Sequence, residues 1–436
     1  KIQDNFMVGA AGFEYAWEEP SASVLDVRLD AACTVHVASN GANAVPMLWE
    51  RNYGKGRFVV NNHGMCEKVT RGLTAAAYSL LQDVFAYPVI NSSVFFLDDF
   101  PSPVPMGNGE YIRKYFGRDI SSFYSNIWWP DMLKIAEKHG VRYTGVVIED
   151  YSERTSGNFP RTTDTERFRY FGGLLLEKGG EIGIHGYNHM PLCPDGFDFL
   201  GKVDYETWPT ANDMRSAIAE LMDFTKTLFP KNTISTYVPP SNILSAEGRA
   251  MLAESFPEIR TLSGVFLKED YEYEQEFCVS DDGIVELPRI ISGAILDPYM
   301  RWAAFNELNF QYVNSHFIHP DDVLDEDRGA ALGWNTLRDN LDGYMDWLYG
   351  AAPGLRNQTA AEASRAVQRY DCLTVDRTLE NGVYRLNLQG FADEAYLLLR
   401  LDGRCQKITG GSLEQVNGSL YVLRATAPEV TVVLAS

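Results

Sequence analysis

Four absences narrow the field first. No apolar run approaches the roughly 20 residues that span a bilayer, so no transmembrane segment is expected in this chain. Basic residues are scarce: 38 Lys and Arg stand against 59 Asp and Glu, for a net charge of −21. No Lys/Arg-rich run offsets that balance, which argues against a nucleic-acid phosphate backbone as partner and disfavours an anionic membrane surface. The six cysteines include no CxxC pair, against both a thiolate zinc site and a dense disulfide framework. One or two disulfides stay open. The chain begins at Lys1 with neither Met nor an apolar signal core, and any targeting segment is expected to have been lost by processing or trimming. Low-complexity tracts and fixed-period repeats are also missing.

What remains is a well-packed globular composition. Of 436 residues, 45% are hydrophobic and 12% aromatic, enough for two or three domains. Residues 1–90 read as a small partial α/β segment, with a buried strand at Gly56 to Asn61 and helical spacing from Arg71 to Phe85. "PMLWERNYGKGRFVVNN" resembles the closing strands of glutamine-amidotransferase-like domains, where strand, turn and strand precede a last helix. From about residue 91 to 355 strand, loop and helix alternate, with helices at Trp129 to His139, Asn212 to Phe229 and Ser245 to Phe256 and a strand at "VELPRII", the rhythm of parallel β/α units. Seven such units imply a distorted (β/α)7 barrel, smaller than the eight-stranded form. Residues 370–436 carry short Val-, Leu- and Tyr-rich runs separated by Gly, Asn and Asp, the punctuation of a small β-sandwich.

The unusual polar residues fall at the strand ends. Asp98 and Asp99 close the first strand, Glu149 and Asp150 the second, His185 the third, Arg289 the sixth, and His316 and His319 the seventh. β/α barrels build their sites at the C-terminal strand ends, so four of the seven histidines are expected on one rim, leaving His36, His63 and His139 elsewhere. In "IHGYNHM", His185 and His189 are four residues apart, close enough to aim both imidazoles at one ion. Gly186 stands where a zinc protease would carry its base. In "VFFLDDFPSP" two adjacent carboxylates repel, which calls for a cation or an arginine nearby; a helix cap or Asx turn is the other reading. "HFIHPDD" reads either as a turn around Pro320 and Asp321 or as a site contribution from His319. Trp128, Trp129, Trp208 and Trp302 either stack on sugar rings or pack loops. Asn91 and Asn417 fit the glycosylation sequon.

Together these three motifs, in this order, resemble the polysaccharide deacetylase superfamily (carbohydrate esterase family 4, the NodB homology fold) over roughly residues 91 to 350. The resemblance implies Asp99, His185 and His189 as ligands of a divalent metal, Zn2+ foremost, with Co2+ or Ni2+ as alternatives. It further implies Asp98 as general base, His319 as general acid, an acetylated carbohydrate as substrate, and a bacterial extracytoplasmic or cell-envelope setting. One departure stands out. The family's RxPY arginine, which buttresses the base, has no counterpart in "TYVPPSN". Arg289 or Arg161 can replace it, and Arg289 is favoured because it sits at a strand end. The Asp-x-x-Asp-Trp segment is also missing, marking a divergent branch closer to bacterial envelope and exopolysaccharide systems than to chitin deacetylases. Two other functions fit less of the pattern. A glycoside hydrolase would use two of Asp98, Asp99, Glu149 and Asp150, and a non-catalytic carbohydrate-binding or assembly protein would keep a vestigial site.

Overall fold

The computed structural model describes residues 1–16, 23–41, 43–64, 67–101, 106–267 and 272–435. Its centre is a curled, mainly parallel sheet. Ser92–Phe100, Thr144–Val147, Glu181–Ile184, Thr236–Tyr237 and Thr261–Leu262 pair in sequence order, and Val313–Ile318 pairs with the free side of the first. Residues 285–292 bridge the two ends. Val285–Glu286 pairs with Thr261–Leu262, whereas Ile291–Ser292 pairs with Val313–Ile318. At the crossover the Arg289 N–H donates to Gly264 O (2.9 Å), and the next N–H, from Ile290, donates to Ser315 O (2.8 Å). The single strand expected at "VELPRII" is thus two short ones, because it changes partner halfway.

Helices cover the outside: Trp129–His139, Glu166–Glu177, Ala211–Leu228, Ala246–Ser255, Pro298–Phe310 and Trp334–Ala351. The helix Ala360–Asp371 behaves differently. Its Ala360, Ala363, Ala366 and Val367 join the cluster of Val94, Phe96, Val146 and Val238, while the Ala360 and Ala361 N–H groups donate to Thr144 Oγ1 and Glu181 Oε2. Thr144 and Glu181 begin their strands, so this helix stoppers the N-terminal mouth of the barrel and leaves the C-terminal rim for chemistry.

The N-terminal part contains an antiparallel three-stranded sheet (Thr34–Ala38, Pro46–Tyr53, Gly56–Asn61) followed by the helix Arg71–Ser79. That helix stops short of the expected Phe85, because Val84–Val89, rich in β-formers, is instead an edge strand against Ala395–Leu401. Pro88 is tolerated there because it has no outer neighbour to serve. Two four-stranded antiparallel sheets thus form the C-terminal sandwich, and one of their strands comes from residues 84–89.

The five described cysteines are free, and Cys66 lies outside the described residues. Among the described residues no helix is long and apolar enough to cross a membrane. Asn91 is 1% exposed and its side chain bonds Gly354 O and Arg356 N, so this sequon is structural.

One buried carboxyl links the fold to pH. Glu307, on Pro298–Phe310, is fully buried with neither carboxylate oxygen hydrogen-bonded, and Arg71 lies 3.7 Å away. Burial pushes its pKa up to about 8, against the pull of Arg71. A raised folded pKa means stability present in acid and lost as pH rises through about 8. Glu307→Gln is therefore expected to stabilise the chain by about 2–3 kcal/mol at pH 9 and to leave its melting temperature at pH 5 nearly unchanged; equal effects at both values would refute the assignment.

Candidate metal centre

Each side chain of the rim is aimed by a local irregularity of its strand. Asp99 has a positive φ of 51° beside a register shift between Leu97 and Phe100. That bulge lets consecutive carboxylates serve one site, where a regular strand would send them to opposite faces. His185 ends the third strand, and His189 returns with a φ of 59° after a turn through Gly186. A Cβ on Gly186 would lie 2.8 Å from Pro240, so the turn requires glycine.

Asp99, His185 and His189 bring one ligand atom each within 4.8 Å of one another. Asp99 Oδ1 lies 3.5 Å from His185 Nε2 and 3.6 Å from His189 Nε2, and it is buried without a hydrogen-bond partner. Burial pushes both imidazoles down to about 4, which keeps them neutral and able to ligate. Their other nitrogens are held: His185 Nδ1 donates to Val238 O (2.8 Å), and His189 Nδ1 meets Tyr205 Oη at 3.2 Å. Tyr205 Oη in turn meets Ser241 Oγ at 2.5 Å. Two neutral imidazoles and an orphaned carboxylate oxygen fit a divalent ion and leave positions open for water and substrate. Outer partners of this kind orient the ligating ring. Tyr205→Phe is therefore expected to weaken metal binding by about 10- to 100-fold in a competition against a chromogenic chelator; an unchanged affinity would show that Tyr205 only packs.

The second group lies directly beneath. Asp98 is 1% exposed and forms an ion pair with Arg289, itself 2% exposed. Arg289 also donates to Asn242 Oδ1, and its guanidinium lies 4.1 Å from the Phe317 ring centroid. Burial alone would raise the Asp98 carboxyl, but the charges of Arg289 and His319 outweigh it and hold it below the usual carboxylate range. His319 Nε2 is 3.9 Å from Asp98 Oδ2, and its Nδ1 is 3.6 Å from Asp322 Oδ1. Burial would lower this imidazole, but Asp322 and the charges of Asp98 and Asp99 raise it to about 8.

Of the two arginines weighed for the missing one, Arg289 is the one beside Asp98, while Arg161 pairs with Glu220 and Asp223. One expectation is corrected, and two open readings are narrowed. His316 is not on the rim: it packs against Phe95 and Tyr344 and bonds Gly293 O, on the strand face opposite Phe317. Glu149 is directed to the Thr162 N–H (3.0 Å), and burial pushes it up to about 8. Trp128, Trp129, Trp208 and Trp302 are at most 4% exposed and serve packing, because their rings fill the layers behind the rim. Asp322, Asn242 and Tyr205 were not singled out from the sequence. Asp322 is three residues from His319, and that spacing was its one visible signal.

The fold superimposes on that of Agd3, a carbohydrate deacetylase, with a TM-score of 0.52 over 93% of this chain and 75% of that one, at 10% identity. Also similar are a mutant of BA3943, a family 4 pseudoenzyme with restored enzymatic activity, and a family 4 acetyl xylan esterase from Clostridium thermocellum in complex with a cobalt ion. Their identities are 12% and 13% and their TM-scores 0.35 and 0.29, over 64% and 61% of this chain and 69% and 96% of theirs. At such identities the likeness is one of fold. No curated protein matches the chain in sequence. A family described as an uncharacterised protein conserved in bacteria, DUF2194, matches residues 19–422. The chain belongs to that family, and it shares its fold with a carbohydrate deacetylase.

Proposed function

We propose that this chain is a metal-dependent hydrolase that removes acetyl groups from a carbohydrate at the bacterial cell envelope. The observation that carries the reading is the convergence of Asp99, His185 and His189 within 4.8 Å, directly above the buried Asp98–Arg289 pair. Asp99, His185 and His189 would hold the ion, Zn2+ foremost, with Co2+ and Ni2+ as alternatives. Such an ion, when bound, polarises a carbonyl oxygen and lowers the pKa of water.

The remaining steps belong to the chain itself. Asp98, kept ionised by Arg289, takes the proton of the attacking water. His319, protonated at neutral pH because Asp322 faces its Nδ1, gives a proton to the departing amine or alcohol. Arg289 touches no reacting atom in this scheme; it positions Asp98 and fixes its charge. The shared fold with a carbohydrate deacetylase supports a sugar substrate, and the family's occurrence in bacteria supports a bacterial source.

The purified chain is expected to carry one equivalent of divalent metal, lost in His185→Ala. Chelation should end acetate release from acetylated oligosaccharides, and added Zn2+ should restore it. Release that survives metal stripping would defeat the proposal.

A further inference from the structure

A cleft of about 570 Å3 lies away from the rim, where the helix Arg71–Ser79 meets the edge strand Val84–Val89 and the end of Pro298–Phe310. Its walls follow from two periodicities. Arg71, Thr74, Ala75 and Tyr78 share one face of the helix, at i, i+3, i+4 and i+7, while Gly72, Leu73, Ala76 and Ala77 are buried on the other. On the strand, Val84 and Ala86 enter the sandwich core, so the alternate residues Phe85 and Tyr87 face the cleft.

The aromatic wall is open and held in place. Tyr78 is 59% exposed, its ring 5.4 Å from Phe85, and Phe85 lies 6.2 Å from Tyr87. Tyr87 Oη donates to Asn309 O (2.7 Å), which fixes that ring. Opposite them, the Arg71 guanidinium lies 4.7 Å from the Phe310 centroid, with its Nε buried behind the ring.

The two cations of this cleft, Lys68 and Arg71, are outnumbered by the carboxylates of Glu67, Glu274 and Glu276. Lys68 is 3.1 Å from Glu274 and 3.3 Å from Glu276, and Arg71 is 2.9 Å from Glu276. An acidic ligand would meet no spare cation here. A pyranose has apolar C–H faces and a hydroxyl edge, which suits the exposed Tyr78 ring beside the exposed Glu67 carboxylate, an acceptor in the same lining. The volume lies within the range of small-ligand sites, about 300–1,000 Å3.

We propose that this cleft is a second carbohydrate-binding site, separate from the metal centre, for a short run of neutral sugar units. Only the choice of a sugar as ligand rests on the proposed activity. The test is calorimetry on the full chain with four neutral hexasaccharides, built of β-linked glucose, N-acetylglucosamine, mannose and galactose. At least one is expected to bind wild type and His185→Ala equally, to bind Tyr78→Ala about tenfold more weakly, and to bind Tyr78→Trp as well as wild type. Tyr78 is exposed enough for these variants to fold. Failure of all four sugars to bind, or binding lost in His185→Ala and untouched by Tyr78→Ala, overturns the site. A chain without metal would defeat the proposed activity yet leave this outcome readable.

Discussion

Asp98→Asn is expected to lower acetate release by about 10²–10⁴-fold, the usual worth of a general base, while the bound metal stays at one equivalent. The amide is nearly isosteric and can still accept a hydrogen bond from Arg289, so the pocket keeps its shape. What it loses is the ability to take a proton. Asp98 is the group best prepared for that task, because it is buried and nonetheless held charged by Arg289 and His319. Metal content separates this effect from a collapse of the neighbouring Asp99 site. Activity within tenfold of wild type would place the base elsewhere and overturn the role given to Asp98.

Arg289→Met is expected to destabilise the fold by about 3–5 kcal/mol, since it leaves the Asp98 carboxylate buried and uncompensated. The same side chain holds Asn242 and stacks on Phe317, at the point where residues 285–292 pass from one barrel partner to the other. Denaturant titration reads the loss directly, and a fall in acetate release should accompany it. Arg289→Lys keeps the charge without the planar fork and should recover part of the stability. A loss below 1 kcal/mol for Arg289→Met would mean that the pair contributes little and that Asp98 is neutralised by other means.

Much of the barrel was legible because β/α alternation is a local signal. The spans read at Trp129 to His139, Asn212 to Phe229 and Ser245 to Phe256 agree with the helices to within a residue at each end. The strand-end positions of Asp99, His185, Arg289 and His319 were legible for the same reason. The helix Pro298–Phe310 was overlooked: Asn306, Glu307 and Asn309 on it are buried and blur its apolar stripe. The tryptophans stayed open between stacking and packing, because a large aromatic near a strand end looks the same in sequence whether its ring faces solvent or a second layer.

By itself, then, the sequence determined the repeating β/α rhythm, the terminal β-rich runs, the acidic balance of charge and the strand ends that carry polar residues. All of these depend on spacing or composition within a few tens of residues. Tertiary structure alone decided which arginine faces Asp98, 191 positions away. It also decided that residues 84–89 complete the C-terminal sandwich, that His316 turns outward, and that Asp99 Oδ1 is orphaned between two imidazoles. Those outcomes depend on closing the sheet upon itself, which brings together side chains that no local pattern relates.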